Sequence, residues 1–389
     1  MSHYPKPFFR KSRGLWYVQI AGKQHNLGPD RTAAFERYHA LMQQPAEQRV
    51  ASDTVVAIID AFLDWCQKHR APDTYEWYRW RLQLFAQSIP RGLTVGQLKP
   101  FHVQQWLDSR QSWGPGSQHN GCRAAQRAMN WAARLGYIDH SPIAHMEKPR
   151  PGKREVVLSD EQFSELNSFV LDAEFADLVR TTWETGCRPQ ESLQVEARHV
   201  ELENNRWVIP EGESKTHTVR VVYLTDEALA ITKRRMLRFP TGPLFRNIYE
   251  NAWTKYSVKN SFDRVRFRMG KEVMKSKGLQ ISDDEIRTLI SKLNPDRTDR
   301  GRRRRKTDSE LRREAVRKLQ EKLAKTLAPK YCLYHLRHTW MNRLLRKGVD
   351  SLTVAVLAGH QNPSTLAKTY QHLSQDRDYL LGQVKRAAG

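Results

Sequence analysis

Two histidines and an arginine crowd one short stretch near the C-terminus, "YHLRHTW" (334–340). The stretch reads as the start of a helix. Its side chains could ligate a metal, transfer protons or be ordinary helix residues, and the stretch alone leaves these alternatives open. The rest of the chain has to decide between them.

A second stretch with chemical potential is "TGCRPQE" (185–191). Gly186 reads as a helix stop, and Pro189 suits the first turn of the next helix. Arg188 is therefore placed at a helix N-terminus, where backbone N–H groups and the helix dipole favour an anion. Glu191, one turn later, could pair with a basic side chain and fix it. The alternative is an ordinary surface arginine.

The third candidate is Lys215, in the turn between predicted strands at 206–210 and 218–224. A lysine at a hairpin tip is usually only solvated. It gains a chemical role if the tip reaches a site where a leaving oxygen needs a proton, because a lysine with a lowered pKa can act as a general acid.

Three short helices follow Arg337, with tight turns near Gly348 and Gly359. The second of these helices is predicted over 351–357. Helices joined by such turns fold back on one another, which would bring Arg337 together with His360 and Tyr370.

The partner is indicated by charge. The 389 residues carry a formal net charge of +23, which points to a polyanion bound through phosphate neutralisation and counterion release. A merely soluble basic surface is the alternative.

The four cysteines are far apart, which argues against a disulfide framework or a structural zinc site and for a reducing cytoplasm. No signal-peptide core and no membrane-length apolar run is present, so we expect a cytoplasmic, nucleoid-associated protein.

Taken together, these motifs resemble the tyrosine recombinase (phage integrase) family. "TGCRPQE" resembles its first arginine box, "LRHTW" its second, "LAGH" its Gly-His box and "TLAKTYQHL" its tyrosine box, with ten residues between His360 and Tyr370. Each box is weak evidence, but their order and spacing together are specific. The resemblance covers nearly the whole chain except about 264–330.

The resemblance implies DNA cleavage and rejoining through a 3′-phosphotyrosyl intermediate, with no metal, cofactor or ATP. Tyr370 would be the nucleophile. Arg188 and Arg337 would hold the scissile phosphate, since guanidinium forks match phosphate oxygens and stay ionised. His360 would donate a hydrogen bond to a phosphate oxygen. Under this interpretation the metal site is excluded.

The remaining roles are supporting ones, and one of them departs from the family pattern. Lys215 would protonate the leaving 5′ oxygen, while Glu191 and His338 would support the site. The family usually has a histidine three residues before the second arginine, and here that position is Tyr334. Either Tyr334 takes the role by hydrogen bonding, or His335 reaches in from a shifted turn.

The predicted fold that positions these residues is multidomain and mainly α-helical, with small β elements. We expect an arm-type DNA-binding β domain at 1–48, a three-stranded sheet plus a helix. A helical core DNA-binding domain at 52–147, a basic linker at 148–157 and an α+β catalytic domain at 158–389 follow. The catalytic domain carries a basic insert at about 264–330.

Several basic segments are predicted to contact DNA. The insert holds about a third of the chain's 65 lysines and arginines, and its "GRRRRK" run is predicted to be a flexible loop; a solvated charged insert is the alternative. The residues expected to touch DNA are Arg10, Lys11, Lys148, Arg150, Lys153, Arg154, Arg302, Arg303, Arg304 and Arg305.

The resulting hypothesis is a site-specific recombinase of a mobile element. It would act as a homotetramer on double-stranded DNA with an inverted-repeat core site and possible arm sites, and without a membrane partner. Two alternatives share parts of this pattern: a topoisomerase-like relaxing enzyme, and a DNA-binding protein that has lost catalysis.

Overall fold

The computed structural model describes residues 6–20, 23–43, 53–152, 156–215, 217–299, 301–360, 362 and 377–387. The chain divides into two compact units, Met1–Lys153 and Arg154–Gly389. Each unit is described by itself.

The first unit begins with the predicted small sheet. Strands β1 (Phe8–Arg10), β2 (Leu15–Ile20) and β3 (Lys23–Gly28) pair antiparallel in the order β1-β2-β3. Helix α1 (Arg31–Gln43) follows, and the Asp30 carboxylate accepts a hydrogen bond from Ala33 N at 2.9 Å, which caps it. The buried core here is small. It consists of Val18, Leu27 and Ala34.

Four helices complete the first unit: α2 (Val55–His69), α3 (Pro72–Ala86), α4 (Pro100–Asp108) and α5 (Pro115–Arg134). They form because apolar residues recur at helical spacing. The stripe predicted for α2 is the buried one: Val55, Ile58, Ile59, Phe62, Leu63 and Cys66.

The second unit surrounds one large apolar core with helices and a small sheet. It opens with α6 (Asp160–Ser168), which begins at the predicted Ser159–Gln162 capping box. The elements that follow are α7 (Ala173–Thr185), α8 (Pro189–Gln194), β4 (Val200–Glu201), β5 (Arg206–Ile209), β6 (Arg220–Tyr223), α9 (Asp226–Arg238) and α10 (Lys255–Ser276). The three strands pair antiparallel in the order β4-β5-β6, and β4 was not predicted from the sequence.

The basic insert is more ordered than expected. It contains α11 (Asp283–Ile290), β7 (Asp296–Asp299), β8 (Arg302–Arg305) and α12 (Asp308–Leu327). The prediction of a flexible loop for the arginine run is wrong, because β8 pairs with β7 in a hairpin. Its turn uses Gly301 at φ +81°, a conformation that glycine adopts without strain.

Helices α10 and α12 pack very closely. A Cβ at Gly270 would lie 2.0 Å from the Ala324 carbonyl oxygen, so only glycine permits this approach. Val265 and Met269, although inside the predicted insert range, belong to the large core of the unit. The insert therefore begins and ends on elements of that core.

The unit closes with α13 (Leu333–Arg346), α14 (Ser351–Leu357) and α15 (Arg377–Ala387). The bounds of α14 agree with the prediction. None of the helices in the described ranges combines the length and the apolar character that crossing a bilayer requires.

Candidate active site

The site forms where the end of α7 meets α13. Gly186 ends α7 in the left-handed conformation at φ +58°, and a Cβ there would lie 2.2 Å from the Trp340 ring. The Trp340 indole donates a hydrogen bond to the Glu184 carbonyl at 3.0 Å. The end of α7 just before Arg188 therefore packs against Trp340, which follows Arg337 on α13. This contact places the two arginines in one region.

Arg188 lies at the N-cap of α8, as the sequence predicts. Its backbone N–H donates to Glu191 Oε2 at 2.8 Å, and its Nη1 donates to Glu191 Oε1 at 2.7 Å. A further bond runs from Arg188 Nη2 to the Gly359 carbonyl. Glu191 therefore holds Arg188 in place, and its role in supporting catalysis stays a prediction.

Arg337 is only 3% exposed and is held by backbone carbonyls at both ends of its fork. Nη1 donates to the Gly186 carbonyl and Nη2 to the Ala358 carbonyl, each at 2.6 Å. Nη2 also lies 3.3 Å from His360 Nε2. The helix stop at Gly186 and the turn before His360 are thereby joined through one guanidinium.

Burial and neighbouring charges shift the pKa values of Arg337, His360 and Glu191. Burial, with the nearby Arg188 guanidinium, lowers the pKa of Arg337 to about 10, so it remains charged near neutral pH. Burial, then Arg337 and Arg188, lowers the pKa of His360 to about 4. Burial alone would raise the pKa of Glu191, but Arg220 and the bonds from Arg188 outweigh it and lower that pKa. His360 is therefore neutral and Glu191 is ionised.

Sequence reasoning missed Arg220, which is a third guanidinium at this site. It lies on β6, is 5% exposed, and donates from Nε to Glu191 Oε1 at 3.1 Å. Strand alternation was the available signal: Arg220 and Val222 both point inward on β6, while Val221 and Tyr223 do not. Glu191 consequently bridges Arg188 and Arg220.

Lys215 lies in the turn between β5 and β6, as predicted, and its side chain is exposed. Just before it, Glu213 accepts hydrogen bonds from both Nη atoms of Arg198, at 2.8 and 2.9 Å, and lies 3.1 Å from His199 Nε2. This contact anchors the turn. The structure records no hydrogen bond or ion pair for the Lys215 ammonium within the described residues, and its role at the arginine cluster stays a prediction.

Tyr334 and His335 are the two candidates for the histidine position of the family pattern, and they lie on different faces of α13. Residues three apart on a helix share a face, whereas residues two apart do not. Tyr334 lies three residues before Arg337 and is 49% exposed, while His335 lies two residues before it and is partly buried. His338 is partly buried and is among the groups near His360.

Tyr370 lies outside the described residues, as do Lys153 and Arg154. Their predicted roles stay predictions. Among the described DNA-contact candidates, Lys148 and Arg150 are exposed, and Arg10 stacks over the Tyr17 ring at 5.4 Å.

The four arginines of β8 are all exposed, but two of them are engaged. Arg303 pairs with Asp296 at 2.6 Å, and Arg304 pairs with Glu310 at 2.6 Å. Cross-strand register places Arg304 opposite Arg297, which also bonds Glu310. One face of the hairpin therefore packs toward the first turn of α12.

A metal centre has no counterpart in the described part of the chain: no three His, Cys, Asp or Glu side chains lie close enough to share an ion. The cluster around Arg337 is instead rich in guanidiniums, which suits a phosphate.

Comparison with known proteins gives the family and the fold. Residues 157–377, more than half of the chain, match the phage integrase family. The solved structures that resemble the chain include the following two. The lambda integrase dimer bound to a COC′ core site has a TM-score of 0.56 and 13% identity, covering 94% of each chain. The Tn1549 transposon integrase in complex with transposon right end DNA has a TM-score of 0.59 and 15% identity, covering 86% of this chain and 100% of that one.

A search of curated proteins gives no significant match. The two structural likenesses, at such low identity, establish the fold. The family match covers both arginine boxes and the Gly-His box. The chain therefore belongs to the phage integrase family and is a tyrosine site-specific recombinase.

Proposed function

We propose that this recombinase cuts and rejoins DNA for a mobile element through a 3′-phosphotyrosyl intermediate. The observation that carries the proposal is the buried Arg337, fixed between two backbone carbonyls beside a neutral His360 and close to Arg188. Such a fixed cluster can hold one phosphate without reorganising as charge develops in the transition state.

In the proposed step, the Tyr370 oxygen forms a bond to the scissile phosphorus and the bond to the 5′ oxygen breaks. Tyr370 releases its proton to solvent on forming the phenolate, and guanidiniums bound to the phosphate would favour that form. Lys215 gives a proton to the departing 5′ oxygen and regains one from solvent, so that the protons balance over the step. Since Lys215 is exposed in an anchored turn, we propose that DNA binding brings its ammonium to the phosphate.

We propose that Tyr334 takes the role of the histidine that the family usually has three residues before the second arginine. The argument is helical geometry: this residue lies on the same side of α13 as Arg337, while His335 lies nearly opposite. A hydroxyl there can donate a hydrogen bond to a phosphate oxygen, as a histidine would.

The proposed partner is double-stranded DNA with an inverted-repeat core site, and arm sites for the N-terminal sheet. A lambda integrase tetramer bound to a Holliday junction has a similar fold, with a TM-score of 0.57 and 13% identity, covering 93% of this chain and 94% of that one. This supports a homotetramer on DNA for the present chain. Proposed contacts are the partly buried Arg10, the exposed Lys11, Lys148 and Arg150, the arginines of β8, and Lys153 with Arg154.

The test uses a nicked duplex carrying an inverted repeat from the DNA that flanks the gene. Once the 3′ end is captured on the enzyme, the short released strand diffuses away and the adduct accumulates. We expect a denaturation-resistant protein–DNA adduct that forms in EDTA and is absent in Tyr370→Phe. Tyr379→Phe, in α15, is the matched control and should form the adduct.

Two results would redirect the proposal. If wild type binds the site but forms no adduct, the protein is a DNA-binding protein without this catalysis. If the adduct forms equally on unrelated duplexes, the enzyme relaxes DNA without choosing a site.

A further inference from the structure

Arg220 is buried, and its hydrogen bonds satisfy only part of its guanidinium. Its Nε donates to Glu191, its Nη1 donates to the Val221 carbonyl at 2.6 Å, and its Nη2 is buried with no partner among the described residues. A buried guanidinium with an unsatisfied N–H is expensive, and a buried ion pair is weak evidence for stability. A role other than holding the fold together is therefore needed.

Gly359 shows how closely Arg220 approaches the site. A Cβ at this residue would lie 2.9 Å from Arg220 Nε and 3.0 Å from Arg188 Nη1. Both guanidiniums thus press against the backbone immediately before His360. Arg220 is also one of the charges that depress the pKa of His360.

Charge counting shows what Arg220 changes. Without it, the Glu191 carboxylate would cancel Arg188, and only Arg337 would remain to face a phosphate. With it, three guanidinium charges less one carboxylate leave two positive charges, because His360 is neutral. A phosphodiester carries one negative charge, and the transition state of its displacement carries two.

We propose that Arg220 is a positioning residue that tunes the site to the transition state. It neutralises Glu191, so that this carboxylate orients Arg188 without cancelling its charge. Interactions that strengthen only in the transition state raise the rate of the chemical step and leave binding unchanged. This inference rests on the proposed phosphotyrosyl chemistry, and it predicts a kinetic defect of one particular kind.

The experiment measures single-turnover adduct formation by the full chain on two suicide substrates. One has an ordinary scissile phosphodiester; the other has a methylphosphonate, whose transition state carries one negative charge fewer. For Arg220→Gln we expect about a 100-fold slower reaction on the phosphodiester, in line with loss of a fixed electrostatic group. We expect less than a 10-fold loss on the methylphosphonate, with DNA affinity unchanged on both.

The matched control is Arg206→Gln. Arg206 lies on the neighbouring strand β5 and pairs with Glu201 at 2.6 Å, away from the cluster. It should react within about 2-fold of wild type on both substrates. Arg220→Lys keeps the charge but not the fork, and should retain most of the rate.

The outcomes separate the two proposals. Absence of any wild-type adduct overturns the phosphotyrosyl chemistry itself. A wild-type adduct combined with equal losses of Arg220→Gln on both substrates, or with no loss, overturns only the role of Arg220. If Arg220→Gln melts early by circular dichroism, Arg220→Lys decides on the same two substrates: equal large losses on both would show a merely structural residue.

Discussion

Replacing Gly186 by alanine should disturb both the stability of the second unit and its chemistry. The left-handed backbone at φ +58° costs a residue with a Cβ about 1–2 kcal/mol. The added methyl would also lie 2.2 Å from the Trp340 ring, and overpacking of this kind costs about 1–3 kcal/mol. We therefore expect a loss of roughly 2–5 kcal/mol in the free energy of unfolding.

Gly278→Ala provides the matched control. Gly278 lies in the same unit at φ +62°, but a methyl added there would meet no atom within 4 Å, so only the backbone cost applies. Thermal unfolding of the full chain should show a shift for Gly186→Ala about twice that of Gly278→Ala or more. Adduct formation should fall for Gly186→Ala alone, because the Gly186 carbonyl holds Arg337.

A double-mutant cycle tests the stated cause. Trp340→Leu removes the ring that the methyl would meet, so the double variant should lose less stability than the sum of the two single losses. Strict additivity, or equal shifts for the two glycine variants, would refute the reasoning.

Three further predictions address the histidine, the tyrosine and the hairpin. The pKa of His360 is about 4, below its ordinary value near 6.5, so the unfolded chain binds the extra proton first as the pH falls. Wild-type stability should fall between pH 6.5 and 4 by more than that of His360→Asn, measured by urea unfolding; equal slopes would contradict this. Tyr334→Phe should slow adduct formation while His335→Ala leaves it nearly unchanged, and the reverse result would assign the role to His335. Deleting 296–305 should weaken DNA binding and flatten its dependence on salt, and an unchanged slope would exclude the hairpin as a phosphate contact.

The hairpin deletion is practical because its ends already meet. Lys306 N donates to the Pro295 carbonyl at 2.8 Å, so rejoining them closes a short gap. The control is a variant that keeps the hairpin and replaces the engaged Arg303 and Arg304 with glutamine. Because these two already pair with carboxylates, their loss should change the salt slope less than the deletion does.

Local signals sufficed for much of this fold. The apolar stripe of α2 and the capping box before α6 are set by neighbouring residues, so they could be identified without tertiary information. The order of the motifs likewise anticipated Arg188, Arg337 and His360 in one place. The structure places these three residues together, and their catalytic roles stay predictions.

Features that depend on residues far apart in the sequence were not predicted. Arginines repel one another, so the run at 302–305 reads as a loop; β8 instead pairs with β7 along the backbone, and Asp296 and Glu310 offset the charges of two of its arginines. An arginine in a short strand reads as exposed, and only Glu191 makes the inward position of Arg220 tolerable. The roles of Lys215 and Tyr370 stay predictions.

The close crossing of α10 and α12 at Gly270 has an architectural consequence. The chain leaves the large apolar core of the second unit along α10 and returns to it along α12, so the two ends of the insert lie side by side. The length and sequence of everything beyond that crossing can vary without moving α13 or the arginine that it carries. We infer that the part of the insert beyond the crossing is an appendage, which can change without altering the fold that carries it.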